Sequence, residues 1–212
     1  MKKPPTTPTP PRQHNRAGMP RREEFLDAAL LRFSTHGFAA ASTRDICADV
    51  GIAHSAIYNY FPTKGAILRA LEERELKPFL ARAEELLAAH RDSPPLEKLE
   101  RLLNFTIGVA IERRAGWTLF QDMLRHLNKE DWQVFVDHRT RYESLVRTAI
   151  AEAISRGVLP PQEVGLVTFY FFGMVDGIVR WYKPSGKLKP DELARNTTRF
   201  FIAALAAGVS LQ

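Results

Sequence analysis

The 212-residue chain has one cysteine, Cys47, so it can form no internal disulfide, and its cysteine usage fits a reducing compartment. No apolar run in the bare sequence approaches the length of a membrane span, so no membrane partner is expected. Lys2 and Lys3 are followed by six prolines up to Pro20 and no apolar core, a pattern unlike a signal peptide. A nucleophile–base motif, a phosphate loop and a dinucleotide fingerprint are all missing. That argues against an enzyme and gives no reason to expect a cofactor. β-Branched runs are short and fall within helical periodicity, so the expected fold class is all-α. The expected location is a bacterial-type cytoplasm.

What is present is positive charge, unevenly spread. The formal net charge is +6; residues 1–64 hold nine Lys/Arg against five Asp/Glu, and the remainder twenty-one against nineteen. The excess thus sits in less than a third of the chain, the footprint expected where phosphate contacts supply affinity.

Residues 1–19 are Pro/Thr-rich without apolar periodicity and read as a disordered arm. Arg12 and Arg16 could reach a DNA groove from it, although a solvated tail is the simpler reading. Residues 20–66 are expected to form one domain and residues 67–212 a second. Helices are predicted over Arg21–His36, from Thr63-Lys64 to about Ala89, and over Leu96–Arg113. Others are predicted around Trp117–Leu127 after a break at Gly116, over Glu130–Arg156, from Pro160-Pro161 to Lys183, and from Pro190 to Gly208.

The densest signal is Ser42 to Lys64, STRDICADVGIAHSAIYNYFPTK. Ser42 and Asp45 have capping-box spacing, and Ile46 and Val50 share one face with Cys47 beside them. Gly51 supplies the positive φ of a tight turn. Ile52 and Ile57 then carry the apolar face onward, leaving His54, Ser55 and Asn59 outward. This is a helix-turn-helix pattern, whose second helix lies in the major groove. A helix–Gly–helix pattern alone is common in all-α proteins. Three features favour DNA: the outward residues are short, polar and tyrosine-bearing, Pro62 stops the second helix abruptly, and a basic arm precedes the motif.

GIAHSAIYNYFPTKGAIL resembles the hallmark segment of the TetR family of one-component transcriptional regulators. Ala28-Ala29, Phe33, Gly37-Phe38 and Thr43 to Ile46 match that family's first two helices. The likeness spans about residues 21–68. It departs at Ala53, which stands where a Ser or Thr caps the recognition helix, at a cost of about 1 kcal/mol, and at Cys47, where alanine is usual. The resemblance implies that Tyr58, Lys64 and Thr43 touch phosphates, the last through its hydroxyl and a helix-start amide. His54, Ser55 and Asn59 are the base-edge candidates, and Ala56 is small enough for a thymine methyl. Arg44 and Tyr60 are additional contacts, Tyr60 with an alternative place in the core.

The segment Gln162–Tyr182 is apolar all round, and such a helix must be buried all round. Part of it is therefore expected to face a second copy, with Gly173, Gly177, Phe201, Ala204, Leu205 and Gly208 at the homodimer interface. A monomeric core around one apolar helix is the alternative. TetR-like regulators pair through their last two helices, which implies a palindromic operator in double-stranded DNA.

The body also carries Phe105, Trp117, Phe120, Trp132, Phe135, Tyr142, Phe169, Phe172 and Trp181, enough aromatic surface to enclose an apolar cavity. Arg180 has Asp176 as its simplest partner; its functional alternative is an anion site. The ligand residues so named are Phe105, Trp117, Phe120, Tyr142, Phe169, Phe172, Arg180 and Trp181. Arg180-Trp181-Tyr182-Lys183-Pro184-Ser185-Gly186-Lys187, with Arg139-Thr140-Arg141-Tyr142, resembles the TetR-like subset that answers to acyl-CoA thioesters. Asp122, His126 and His138 could form a metal site, although the spacing lacks a Cys/His cluster. The reading is a repressor released from its operator by a small apolar or acyl-CoA-type ligand. The alternatives are a helical small-molecule-binding protein whose helix-turn-helix is structural, and a DNA-binding activator.

Overall fold

The computed structural model describes residues 18–123 and 129–208, with side chains from Arg22 to Gln121 and from Val136 to Gly208. These residues form nine helices and no strand: α1 (Gly18–His36), α2 (Thr43–Asp49), α3 (His54–Ile57), α4 (Lys64–Ala89), α5 (Pro95–Glu112), α6 (Arg114–Met123), α7 (Lys129–Ser155), α8 (Val164–Trp181) and α9 (Pro190–Ala207). The all-α expectation holds. Most of the arm lies outside the described residues, but Gly18 and Met19 already belong to α1.

Two cores result. In the N-terminal head, α1 turns Phe25, Leu26, Ala29 and Phe33 inward, against Ile46 and Cys47 of α2, Ile57 of α3, and Phe61. The second core joins α5, α7, α8 and α9 around Leu102, Val146, Phe171 and Phe201. Helix α4 belongs to both: Ile67, Leu68 and Leu71 fill the head, Phe79, Leu80 and Ala83 the body, and Leu76 packs against each. Pro78 lies inside α4 at this passage, where it has no N–H to give the preceding turn. The head also takes Leu119 and Phe120 from α6, so its core does not end at residue 66.

Local stops follow the sequence closely. Ser42 Oγ accepts the Asp45 amide at 3.1 Å and donates to the Asp45 carboxylate at 2.7 Å. Gly51 has φ +65°, Gly157 ends α7 with φ +70°, and Thr63 Oγ1 caps α4 by accepting the Ala66 amide at 3.0 Å. Gly116 does not break the chain. It sits inside α6, where an added Cβ would meet only ordinary contacts with Glu75 and Phe120 at 3.7 Å, and the junction falls instead at Arg113.

Helix α8 corrects one expectation. With 18 residues and mean hydropathy 1.3 it is long and apolar enough to cross a membrane by length and composition alone. Only 39% of that stretch is buried within this chain, so a single copy does not cover the helix all round. Val167, Phe171, Phe172, Val175, Ile178 and Val179 face the body core, while Phe169, Tyr170, Gly173 and Trp181 lie on the outer side. Phe201 and Leu205 of α9 fill this chain's own core rather than a free face, because they fall on the stripe that packs toward Phe171. Ala204 is exposed, and Gly177 and Gly208 are half-buried.

Candidate nucleic-acid interface and ligand cavity

The head presents a short polar ledge. Regular α3 is only four residues long, and its start at Ala53 has no side-chain cap, as the alanine dictates. The chain continues as a turn, held by Tyr60 N–H to the Ile57 carbonyl at 2.9 Å and Phe61 N–H to the same oxygen at 2.8 Å. Ile57 anchors the ledge, being 1% exposed. Ser55, Tyr58, Asn59 and Tyr60 are exposed, Ala56 is half-buried between them, and Arg44 is exposed on neighbouring α2. Tyr60 thus stands at the surface rather than in the core.

Three expected DNA residues are otherwise engaged. His54 Nε2 is hydrogen-bonded to Thr43 Oγ1 at 3.0 Å and lies 3.5 Å from the Tyr58 hydroxyl. The imidazole therefore ties α3 to the start of α2, and the Thr43 hydroxyl is already partnered. Lys64 turns inward. Its ammonium donates to the carbonyls of Phe38 and, at 3.2 Å, Ala39, and stands 4.5 Å from the centre of the Phe38 ring. Its pKa is pulled below the ordinary lysine value by burial. Spacing along the chain could not reveal this, because the acceptors lie 26 and 25 residues upstream. The Arg32–Asp49 pair was equally hidden: two bonds of 2.6 and 2.7 Å fix α2 against α1, and the Asp49 pKa is lowered chiefly by its hydrogen bond to Arg32.

In the body, a cavity of about 60 Å³ is lined by Leu76, Phe79, Trp117, Phe120, Gln121, Arg139, Tyr142, Glu143 and Phe172. Trp117, Phe120, Tyr142 and Phe172 are thus brought together as the aromatic load predicts. Phe105 is not among them; it stacks on Phe79, with ring centres 5.5 Å apart. Phe169 and Trp181 are 64% and 53% exposed, because their register on α8 points away from the body core. The Tyr142 hydroxyl is fully buried against Thr106, and burial raises its pKa, so it stays a neutral phenol.

Beside this cavity lies a cleft of about 280 Å³ lined by Trp117, Thr118, Gln121, Asp176, Val179 and Arg180. Asp176 Oδ1 accepts from Trp117 Nε1 and Gln121 Nε2, both at 2.8 Å. Burial raises the Asp176 pKa; the Trp117 bond, then Arg139 and Arg180 at longer range, pull it back. The simple Asp176–Arg180 hydrogen bond expected from spacing is replaced by this pair of donors from α6. Sequence reasoning missed Leu76, Phe79, Gln121, Glu143 and Asp176 as lining residues, since residues on four separate helices carry no common spacing.

Of the three residues of the possible metal site, only the His138 side chain falls among the described residues. His138 is bonded to the buried Glu72 carboxylate on α4, and no group of three metal-binding side chains occurs among the described residues. The Asp122 side chain and His126 lie outside the described residues, as do the side chains of Trp132 and Phe135.

Comparison with known proteins places this geometry. Residues 25–71 match the description of bacterial regulatory proteins of the tetR family, and residues 92–205 that of the tetracyclin repressor-like C-terminal domain. The chain is 26% identical to the HTH-type transcriptional repressor KstR2 of Mycolicibacterium smegmatis over 192 residues, 90% of this chain and 91% of that one. It is 25% identical to the nucleoid occlusion factor SlmA of Aliivibrio fischeri, covering 81% and 89% of the two chains. Among solved structures, KstR2 of Mycobacterium tuberculosis superposes with TM-score 0.76 at 24% identity, over 88% of this chain and 95% of that one. AibR, solved with isovaleryl coenzyme A and operator DNA, superposes with TM-score 0.70 at 23% identity, over 85% and 97%. With the second of the two family descriptions spanning more than half of its length, the chain belongs to the TetR family and is a DNA-binding transcriptional regulator.

Proposed function

We propose that the protein is a homodimeric repressor that leaves a palindromic operator when a small ligand with an apolar acyl part enters the body. The observation that carries the reading is Phe120, which packs in the head's core and also lines the body's cavity. A ligand that moves this ring moves a residue on which the head rests. Such a ligand shifts the equilibrium only as far as it prefers the non-binding arrangement.

At the DNA, Ser55, Asn59 and Ala56 read base edges, and Arg44, Tyr58 and Tyr60 grip phosphates. The Thr43–His54 contact and the inward Lys64 serve chiefly to hold that ledge in place. The dimer reading is supported by the outer face of α8 and α9, where Phe169, Tyr170, Trp181 and Phe200 are all at least half exposed. Gly173 and Gly177 have nothing within 4 Å of where a Cβ would stand, so this chain's own packing does not require their smallness. Close approach of a second copy does.

The acyl-thioester class is supported by the isovaleryl coenzyme A complex of AibR and by the Arg180–Lys187 segment. The test is footprinting of the purified protein on the DNA flanking its gene, with and without a short-chain acyl-CoA. Protection of a palindrome that acyl-CoA abolishes is expected. An Arg44→Ala/Tyr58→Ala variant that protects equally well would overturn the DNA assignment.

A further inference from the structure

The 60 Å³ cavity and the 280 Å³ cleft are neighbours divided by a polar partition, since Trp117 and Gln121 line both. The Gln121 carboxamide occupies the dividing position in a defined way. Its nitrogen donates to Asp176 Oδ1 at 2.8 Å, and its oxygen accepts from Arg139 Nη1 at 3.4 Å. Arg139 is held in turn by Glu143 at 2.9 Å. The inner cavity is far smaller than a usual ligand pocket, but the two spaces joined reach the range of about 300–1,000 Å³ that such pockets occupy.

Joining them requires Gln121 to swing aside, which strips a donor from Asp176 and an acceptor from Arg139. Asp176 then keeps only Trp117 and Arg139 only Glu143, and a hydrogen bond lost from a half-buried charged group is costly, so a molecule that restores both bonds is favoured over one that restores neither. A hydrocarbon or ester offers no donor. A carboxylate offers no donor either, and it would bring a second negative charge against Asp176. We propose that the ligand carries an amide, with its N–H and C=O side by side, within a few atoms of the end of an apolar chain. The chain fills the aromatic inner cavity, and the amide takes the place of the Gln121 carboxamide between Asp176 and Arg139. Any anionic end then emerges past Arg180. This rests on the ligand-responsive reading above, and an acyl thioester of the pantetheine type satisfies it because its arm holds an amide two carbons beyond the sulfur.

The experiment is calorimetric titration of the full chain without DNA, using N-ethyl carboxamides, ethyl esters and free acids of the same five- to eight-carbon chains. The amides are expected to bind at least about tenfold tighter than esters or acids. Asp176→Leu is expected to erase that preference. Gln121→Ala, which removes the group to be displaced, is expected to tighten amide binding several-fold, with the amide still preferred to the ester. Equal binding of amide and ester, binding of no probe, or weaker amide binding by Gln121→Ala would overturn the proposal. The Gln121 arm decides even if the Asp176 variant fails to fold. Acyl-pantetheine binding tighter than the N-ethyl amide assigns the ligand to thioesters, and the reverse assigns it to simple carboxamides; either outcome supports the amide requirement. Because no DNA is present, failure here is separate from failure to protect an operator.

Discussion

Replacing Lys64 by methionine separates two roles that chain spacing alone cannot. If Lys64 were a phosphate contact, Lys64→Met would weaken operator binding, lower the salt slope by about one counterion, and leave the fold untouched. The structure gives a different expectation. The ammonium donates to the Phe38 and Ala39 carbonyls and stands over the Phe38 ring at 4.5 Å, closing the turn between α1 and α2. Hydrogen bonds to a charged group contribute about 1.5–3 kcal/mol each, and a cation over a ring adds about 0.5–1 kcal/mol where partly exposed. Burial of the ammonium, which lowers its pKa, offsets part of that gain, and methionine retains most of the apolar stem. A net loss of about 2–3 kcal/mol remains, which for a chain of this size lowers the melting temperature by about 5–10 °C. Thermal unfolding followed by circular dichroism, alongside operator titration at several salt concentrations, measures both. A melting temperature within about 2 °C of the parent, together with a salt slope reduced by one, would refute the inward role.

Three further outcomes are expected. Gly51→Ala places a side chain at φ +65° with open space around it, so the cost is backbone strain alone, about 1–2 kcal/mol, read by denaturant unfolding. Asp49 has a folded pKa below its unfolded value, so its pairing with Arg32 stabilises the protein above the unfolded pKa, and that contribution is lost as pH falls through the folded value. Melting temperatures recorded from neutral pH down through the carboxylate range should therefore fall more steeply for the parent than for Arg32→Met. Gly173→Leu, on an exposed helical position with no neighbour in its own chain, should leave helicity and monomer stability intact yet yield a monomer by light scattering; a persistent dimer would mean that α8 is not the pairing face.

The helix-turn-helix was legible because its determinants are local. A cap, a four-residue apolar spacing and a glycine at a tight turn act within a few residues of one another, so Ser42, Ile46 and Gly51 could be assigned from order alone. The long helix α4 and the aromatic character of the body were legible for the same reason, through periodicity and composition. What a single helix's periodicity cannot encode is which of its apolar sides finds a partner. Phe171 and Phe169 lie two residues apart on α8, yet one is fully buried and the other 64% exposed. Packing against α5, α6 and α7, and against Phe201 of α9, makes that choice. Polar partnerships across distant segments were hidden likewise: Lys64 with Phe38, Arg32 with Asp49, and Gln121 with Asp176 and Arg139 depend on how helices meet, not on how residues are spaced. The sequence by itself thus determined an all-helical chain with a DNA-reading head, since short-range hydrogen bonding and amphipathic period are written residue by residue. Only the tertiary structure decided which aromatics form the cavity, which face of α8 is left outside, and that a glutamine stands between the cavity and its outer cleft, because these follow from the meeting of elements far apart in the chain.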